Sequence, residues 1–559
     1  MSNRTIRELS IVALVLLPMA INAQKISEWQ ALQKAQQFMK GKVFDEVSKA
    51  RGVQGNNEEP SAFYVFNVED NGGFVVVSGD ERTPAILGYG DSGNMDVDNL
   101  PSNVQWLMDY YEDCISNLTA ADGRERRRAP KPVIAPLITT QWGQESPFND
   151  QCPVVGSQRA LTGCVATAMA QVMNFHQWPK AATAAIPAYT TYSMNINRPE
   201  LPSTTFNWTS LTNADKARLF AYCGQAMEMD YRSGGSSANG NNAGYGLYRY
   251  FDYDVNARTL NRANYTESEW IDILYAELKA SRPIIYSGRG TGGHTFICDG
   301  YKDGKFHINW GWNGYCDGFF LISGLKPEYY DFSNDQFAVV GVQPNTGDAP
   351  QMPVLNAVGF QPLSKTTFTR TDASQSFNIS SITALLSSAV LVDMECTVGF
   401  RLYHGSKPVS SAVLGRDYSQ IYSACDAVYE NYNRYFSGSM SFGAGLPDGT
   451  YRLVLVHKET GLTSNYEPAQ GSNAQYIECV ISGNTLNLSV VENSPVPLEE
   501  PEIVPGDLNS DGVVDVTDVV ELIDLVLSGT FSAEADINGD NEVDVTDVVE
   551  LIDMVLNGE

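Results

Sequence analysis

The pattern of apolar and polar positions divides the first part of the chain into a helix and a β-hairpin. Apolar residues recur with helical spacing over residues 29–39. Two strand-like runs follow at residues 63–68 and 73–78, and the turn residues 69–72 between them predict that these strands pair. This part of the chain is therefore predicted to form a small α+β domain.

In the middle of the chain the pattern predicts a helix and, much later, a strand. A run of helix-forming residues begins at Cys164, after the turn residues Thr162 and Gly163. A strand-like run covers residues 295–298. Between them, residues 233–246 are rich in Gly, Asn and Ser, which predicts a mobile loop that either walls a binding cleft or only connects two elements.

Short alternating strands broken by turns replace this pattern after residue 350. The clearest strands are residues 451–457 and 486–491. Residues 350–495 are therefore predicted to form a β-sandwich of immunoglobulin-like type. The segment carries no catalytic constellation, so it is interpreted as a spacer in preference to a weak binding module.

Length and charge limit the functions to consider. A chain of 559 residues is too long for one core and predicts several domains. The net charge of −29 argues against nucleic acid as a partner. Residues 501–559 contain sixteen Asp or Glu and no Lys or Arg, so more than half of the excess negative charge lies in one short segment. Nine cysteines show none of the regular spacings of a disulfide scaffold or a zinc site.

The N-terminus has the features of a secretory signal peptide. Arg4 and Arg7 precede the apolar residues 11–20, a run too short to span a bilayer as a stable anchor. Cleavage is expected after Ala23, giving residues 1–23 as the signal. The next residue is Gln24 and not cysteine, so a lipoprotein anchor is not indicated. We expect a secreted protein without a membrane span, held at the cell surface, if at all, through a partner.

Cys164 stands where a nucleophilic thiolate is favoured. The free N–H groups and the dipole at a helix N-terminus stabilise negative charge, which predicts a lowered thiol pKa. His294 follows 130 residues later, and the segment Asn309, Trp310 and Trp312 comes after it. Gln141 lies upstream of the cysteine. A lone cysteine here could be a small buried residue, but the order of these features favours a cysteine protease.

These motifs resemble the streptopain family of cysteine proteases, to which interpain-type enzymes belong. The matching segments are residues 141–144, 162–173, 292–294 and 309–312. The resemblance covers about residues 25–345 and implies a papain-like α+β core at residues 132–345. It also implies an inhibitory propeptide at residues 24–131, which ends in a basic linker of Arg124, Arg126, Arg127, Arg128 and Lys131 that is easily cut.

The resemblance assigns roles to the candidate residues. Cys164 would attack a peptide carbonyl, and His294 would protonate the leaving amine. Gln141 and the Cys164 backbone N–H would hold the oxyanion. Asn309, Trp310 and Trp312 would support the histidine, without a choice among them. Catalysis would need no cofactor.

A duplicated loop and helix form the second strong signal. The same pattern of oxygen ligands at loop positions 1, 3, 5, 7, 9 and 12 recurs at a spacing of 29 residues, and calcium prefers such an all-oxygen set. Each loop runs into the same helical sequence, at residues 519–524 and 548–553. The predicted ligands are Asp507, Asn509, Asp511, Val513, Asp515 and Asp518 in the first loop and Asp536, Asn538, Asp540, Glu542, Asp544 and Asp547 in the second.

The duplicated loops depart from an EF-hand in two ways, and these departures indicate which known module the loops resemble. Asp replaces Glu at position 12, and the helix before each loop is missing. Both features resemble the dockerin type I module, which implies two calcium ions and a cohesin-like partner for residues 504–559. The first hypothesis is thus a secreted cysteine endopeptidase with a calcium-dependent docking module. The alternatives are an inactive adhesin or scaffold subunit and, on the same dyad, acyl transfer to an amine.

Overall fold

We describe the fold from a computed structural model. It describes residues 25–45, 49–51, 61–118, 131–232, 234–289, 293–322, 336–347, 355–388, 391, 394–422, 434–459, 466–498, 506, 508, 514–528, 535–538 and 543–557. The predicted signal peptide and the four arginines of the basic linker lie outside the described residues. Within the described ranges, no helix is long and apolar enough to cross a membrane.

The N-terminal domain contains the predicted helix and hairpin, and also a second helix that the apolar pattern did not predict and that packs on strands of the catalytic domain. Its first helix begins with a capping box, in which Ser27 and Gln30 bond to each other's backbone N–H. The predicted hairpin is present, with strands that pair from Phe63 to Asn67. The elements are α1 (Glu28–Phe38), β1 (Lys49–Arg51), β2 (Phe63–Asn67), β3 (Phe74–Ser78), β4 (Ile86–Gly90) and α2 (Ser102–Ser116).

The catalytic domain has the predicted papain-like α+β architecture. Its elements are β5 (Val154–Val155), β6 (Gln158–Arg159), α3 (Cys164–His176), β7 (Tyr189–Thr190), β8 (Asn197–Arg198), α4 (Asn213–Ala226), α5 (Ala243–Phe251), β9 (Arg258–Asn261), α6 (Glu267–Lys279), β10 (Ile284–Arg289), β11 (Gly293–Lys302), β12 (Lys305–Asn309), β13 (Gly318–Phe320) and β14 (Gln336–Val340). Helix α3 is buried from Val165 to Met173 between α4 and β11. Hydrophobic burial of this helix fixes its first residue against the sheet.

The N-terminal and catalytic domains share one antiparallel sheet. Its strand order is β1-β2-β3-β4-β13-β12-β11-β10-β14-β9, and the junction is the pairing of β4 with β13. There Tyr89 lies opposite Phe319, and Gly88 lies opposite Phe320. A side chain at position 88 would come within 2.4 Å of the Phe320 ring, so this junction requires glycine. Backbone pairing and aromatic packing together attach the N-terminal domain to the catalytic domain.

A β-sandwich follows the catalytic domain, as predicted. One sheet has the order β15-β17-β20, and the other has the order β16-β24-β23-β21-β18-β19, with β22 paired to β21. Apolar residues from both sheets meet in one core, where the rings of Phe400 and Phe436 are 5.4 Å apart. The strands are β15 (Leu355–Phe360), β16 (Thr367–Thr369), β17 (Phe377–Ser388), β18 (Met394–His404), β19 (Lys407–Tyr422), β20 (Arg434–Phe442), β21 (Gly449–Glu459), β22 (Glu467–Pro468), β23 (Tyr476–Ser482) and β24 (Thr485–Val491).

The C-terminal module is a pair of helices with a very small core. Helices α7 (Val516–Ser528) and α8 (Val545–Asn557) begin three residues before the predicted helical runs. Leu522 and Leu551 are fully buried between them. So few apolar contacts stabilise a domain weakly on their own.

The prediction of a mobile loop at residues 233–246 is wrong for the second half of this segment. A short turn from Gly240 to Asn242 leads into α5, which begins at Ala243. Side chains at positions 244 and 246 would meet Val339 at 3.1 Å and Met227 at 2.8 Å. The glycines here therefore permit close helix packing, and their number was misread as a sign of mobility.

Candidate active site

Cys164 is the first residue of α3, as the sequence predicted. Gly163 before it has a φ of +86°, a backbone conformation that favours glycine. A side chain at position 163 would also lie 2.6 Å from the Met229 sulfur. The hydroxyl of Thr167 donates to the Gly163 carbonyl at 2.9 Å, which fixes the turn. The thiol is thus held at the end of a rigid, buried helix.

His294 lies on β11, the strand that packs against α3. Its neighbour Thr295 is buried and lies near enough to Cys164 for its backbone N–H and side chain to act on the pKa of the thiol. Nucleophile and histidine are therefore brought to the same part of the cleft. In this structure the His294 Nδ1 atom lies 3.3 Å from the hydroxyl of Ser102, the first residue of α2.

The pKa values of the two groups favour their uncharged forms here. Burial raises the pKa of the Cys164 thiol above its ordinary value, although backbone hydrogen bonds from Thr295 and Val165 act to lower it. Burial also lowers the pKa of His294. Both shifts disfavour a thiolate–imidazolium pair. The predicted lowering of the thiol pKa by the helix N-terminus is thus outweighed by burial in this structure.

Asn309 belongs to a buried network and joins the sheet to the nucleophile helix. Its amide nitrogen donates to the Thr140 carbonyl at 2.8 Å, and its amide oxygen accepts from Gln171 at 3.0 Å. Gln171 lies on α3 and is fully buried. Sequence reasoning missed it, although it stands seven residues after Cys164 and so on the same helix face.

The two tryptophans contact the N-terminal domain through one side chain. Asn103, the second residue of α2, donates to the Trp310 carbonyl at 2.7 Å and accepts from the Trp312 indole at 2.9 Å. Asn103 is buried, and Trp310 packs on Phe296 with ring centroids 4.8 Å apart. The start of α2 therefore occupies the region where His294 and the predicted supporting residues meet. No pattern in the sequence points to Asn103.

Gln141 is exposed, and its side chain lies beside Gly314. Gln144, in the same short segment, is buried, and its carbonyl accepts from the Thr162 N–H at 3.1 Å. Thr162 is two residues before Cys164. The segment thus contains two glutamines, and the one nearer to the cysteine turn is not the one that the sequence analysis selected.

The glycine-rich segment before α5 borders the same cleft. A side chain at Gly240 would lie 2.3 Å from the Thr295 hydroxyl oxygen and 2.6 Å from that of Ser287. Ser236 donates to the Leu161 carbonyl at 2.7 Å. The segment therefore packs against both the histidine strand and the turn before the nucleophile, as expected for a wall of the cleft.

Half of the predicted calcium ligands can be placed. Asp518 and Asp547 are fully buried, and each carboxylate accepts a backbone N–H of its own loop, from Asp515 and Asp544 respectively. Asp547 also accepts from Asn538 at 3.2 Å. The other described ligand is Asp536. Asp507, Asn509, Asp511, Val513, Asp540 and Glu542 lie outside the described residues.

The described loop residues fit a calcium site chemically. Their oxygens are hard donors, the class that calcium prefers. Within the described residues alone, no three acidic, histidine or cysteine side chains gather as one metal-binding group. The predicted ligand sets therefore stay predictions.

Comparisons with known proteins match three parts of the chain. Residues 142–320 match the Peptidase C10 family, residues 23–115 match the Spi protease inhibitor family, and residues 505–556 match the dockerin type I domain. The thiol protease/hemagglutinin PrtT of Porphyromonas gingivalis is 31% identical over 350 residues, which is 54% of this chain but only 40% of that protein. The chain therefore spans less than half the length of that relative.

Streptopain of Streptococcus pyogenes is 32% identical over 346 residues, which covers 54% of this chain and 84% of streptopain. Among solved structures, a prointerpain A fragment of Prevotella intermedia is 32% identical over 53% of this chain and 99% of its own, with a TM-score of 0.45. Active interpain A of the same organism is 35% identical over 39% of this chain and 100% of its own, with a TM-score of 0.34. The chain belongs to the streptopain family of cysteine peptidases.

Proposed function

We propose that this chain is the zymogen of a secreted cysteine endopeptidase that hydrolyses peptide bonds in proteins. The observation that carries the proposal is the position of Cys164 at the start of α3, the helix that packs against the strand that carries His294. A family that acts through a thiol supports the same assignment. The predicted N-terminal signal supports secretion.

The chemistry follows from the two residue types. His294 takes the proton of the Cys164 thiol as the sulfur forms a bond to the substrate carbonyl carbon, and the carbonyl oxygen becomes an oxyanion. When the tetrahedral intermediate collapses, His294 gives its proton to the leaving amine and an acyl-enzyme thioester remains. Water, deprotonated by His294, then attacks the thioester and releases the acid product and the thiol. No step needs a cofactor.

Replacing Cys164 by Ala should remove this activity. The variant lacks the only group that forms the acyl-enzyme, so kcat should fall by roughly 10⁴-fold or more. Casein hydrolysis and self-processing at the basic linker are the measurements.

Cys152→Ala is the matched control, because that thiol is buried and burial raises its pKa to about 11. Its activity should stay close to that of the native protein. Undiminished hydrolysis by Cys164→Ala would contradict the dyad and leave the adhesin or scaffold hypothesis. Acyl transfer to an amine instead of water would show as a new amide product.

Gln144 is a better candidate than Gln141 for the oxyanion donor. It is buried in the segment that bonds to the turn before Cys164, whereas Gln141 is exposed beside Gly314. The second donor would be the Cys164 backbone N–H. Donors fixed by buried surroundings stabilise a developing charge without reorganising, which makes a buried glutamine the stronger choice.

Replacing either glutamine by Ala should separate the two candidates. Loss of an oxyanion donor lowers kcat by about 10²- to 10³-fold with little change in KM. We expect this fall for Gln144→Ala and a much smaller one for Gln141→Ala, measured as steady-state hydrolysis of a peptide by the processed enzyme. The reverse ranking would restore Gln141 as the donor.

The N-terminal domain fits the role of an inhibitory prodomain. Ser102 contacts His294, and Asn103 contacts both Trp310 and Trp312. The same domain continues the catalytic sheet through β4. As long as α2 occupies this region, burial keeps the thiol and imidazole uncharged. Release of the prodomain would hydrate His294, return its pKa toward the ordinary value and favour the reactive ion pair.

Asn103→Ala should weaken latency. Two buried hydrogen bonds worth about 1 kcal/mol each are lost, which corresponds to roughly a thirtyfold rise in the population with α2 displaced. The measurement is the rate at which a thiol alkylator labels Cys164 in the unprocessed protein. Asn99→Ala, an exposed amide of the same domain, is the control. Equal labelling rates in the two variants would contradict the role of Asn103.

The C-terminal module is proposed to bind two calcium ions and a cohesin-like partner. Its match to the dockerin type I domain supports this, as do two equivalent exposed apolar stripes on its helices. Thr517 and Thr546, beside these stripes, bond to Asp515 and Asp544 and so connect the exposed faces to the loops. The stripes comprise Val516, Val520, Ile523 and Leu527 on α7 and Val545, Val549, Ile552 and Leu556 on α8.

Calcium should fold the module and leave catalysis unchanged. The loop carboxylates repel one another without a cation, and the core of α7 and α8 is too small to compensate. Circular dichroism of residues 504–559 should show little helix with a chelator and full helix with calcium. An unchanged spectrum would contradict folding coupled to calcium. Chelator-sensitive peptide hydrolysis by residues 132–345 would contradict the separation of the two functions.

A further inference from the structure

Three titratable side chains lie together behind the tryptophan segment of the active site, where Asp299 is buried and His307 and Asp317 are half-buried. His307 on β12 bonds to Asp299 on β11, with 2.6 Å between His307 Nδ1 and Asp299 Oδ1. The other oxygen of Asp299 accepts the Ile138 N–H at 2.8 Å. Asp317, just before β13, lies close enough to both to feel their charges. None of the three has a part in the dyad chemistry.

Asp317 is bonded directly to the active-site segment. Its Oδ1 atom accepts the backbone N–H of Trp310 at 2.9 Å. The Trp310 indole donates to the carbonyl of Cys316, the residue before Asp317, at 3.0 Å. Trp310 is thus tied at two points to residues 316–317, while its ring packs on Phe296, two residues beyond His294. The carboxyl group of Asp317 is therefore one of the groups that hold Trp310 beside the histidine strand.

The surroundings of Asp317 set its charge near neutral pH. Burial raises the pKa of its carboxyl to about 7, and the charge of Asp299 adds to the rise, while the Trp310 N–H and His307 act to lower it. Burial lowers the pKa of His307, but the hydrogen bond and charge of Asp299, with Asp317 and Asp91, raise it overall. Burial raises the pKa of the neighbouring Cys316 thiol to about 12, so that group stays neutral.

We propose that Asp317 is a positioning residue that holds residues 310–312 in the active site and makes their position depend on pH. The proposal rests on the proposed protease function. An ionised carboxylate makes a stronger hydrogen bond to the Trp310 N–H than a protonated carboxyl group does. The segment is therefore held more firmly above the pKa of Asp317 and more loosely below it. His307 supplies the positive charge that favours the ionised form.

The same ionisation has a stability consequence of opposite sign. The folded-state pKa of Asp317 is raised above the unfolded value of about 3.9. Its stabilising contribution is therefore complete below about pH 4 and is lost as the pH rises toward about 7. Asp317→Asn keeps an oxygen that can accept from Trp310 but cannot ionise. Relative to the native side chain, the variant should gain stability across this pH range.

The experiment compares Asp317→Asn with the native side chain between pH 5 and 9. In processed native enzyme, kcat/KM should fall several-fold toward acidic pH, with a midpoint at or below about 7. The midpoint does not lie higher because loss of β4 lets water approach Asp317. Asp317→Asn should lack this fall. His307→Gln should move the midpoint upward, since it removes the nearby cation. Asp303→Asn, an exposed acid in the turn between β11 and β12, should behave as native.

A second measurement does not need activity. On the Cys164→Ala background, the melting temperature of Asp317→Asn relative to its parent should rise between pH 4 and 7. Superimposed kcat/KM profiles for native enzyme and Asp317→Asn would overturn the proposal. They would do so even if the variant melted at a lower temperature than the native protein. If no protein shows activity, the proposed function fails, and the pH dependence of melting still decides whether Asp317 titrates as inferred.

Discussion

The buried hydrogen bonds between Gln171 and Asn309 are the constraint on which the active site depends. Gln171 lies on the nucleophile helix and Asn309 at the end of a sheet strand, so these amides fix one element against the other. Both side chains are nearly inaccessible to water. An amide left without its partner there would carry a desolvation cost of about 1–3 kcal/mol, which penalises any shift of the helix. The distance from Cys164 to the histidine strand is set by this penalty and by the packing of α3.

The proposed latency depends on the antiparallel sheet that the N-terminal and catalytic domains share. The prodomain contributes strands that continue the catalytic sheet, and α2 then reaches His294 and the two tryptophans. Strand pairing supplies much of the attachment, while the few polar contacts of Ser102 and Asn103 act at the catalytic residues. Binding energy and inhibition thus come from different parts of one domain. Under the proposed function, removal of the prodomain would change the hydration of Cys164 and His294 and leave the core of α3 intact.

Residue types and their order were enough to predict the fold class and the family, and to select candidate site residues. Cys164 at a helix start and His294 before a strand carry local signals, and the two acidic loops repeat visibly. Partners that meet only in the fold were not predictable. Asn103 and Trp310 are 207 positions apart, and no periodicity links them. Gln144 could not be ranked against Gln141 from the sequence, because the two glutamines share one short segment and only the fold shows that Gln144 is buried. The glycines of α5 were misread because close packing and mobility favour the same residue.

Charged groups are treated in opposite ways in the catalytic domain and in the C-terminal module. In the catalytic domain a few ionisable groups are buried, and their pKa values are moved toward the neutral forms, as for Cys164 and Asp317. In the C-terminal module the acidic groups are too numerous for this, since residues 501–559 contain no basic side chain to pair with them. Proton uptake can neutralise one buried acid at moderate cost, but a ring of loop carboxylates at neutral pH needs a cation. The catalytic domain is therefore expected to respond to pH and the C-terminal module to calcium.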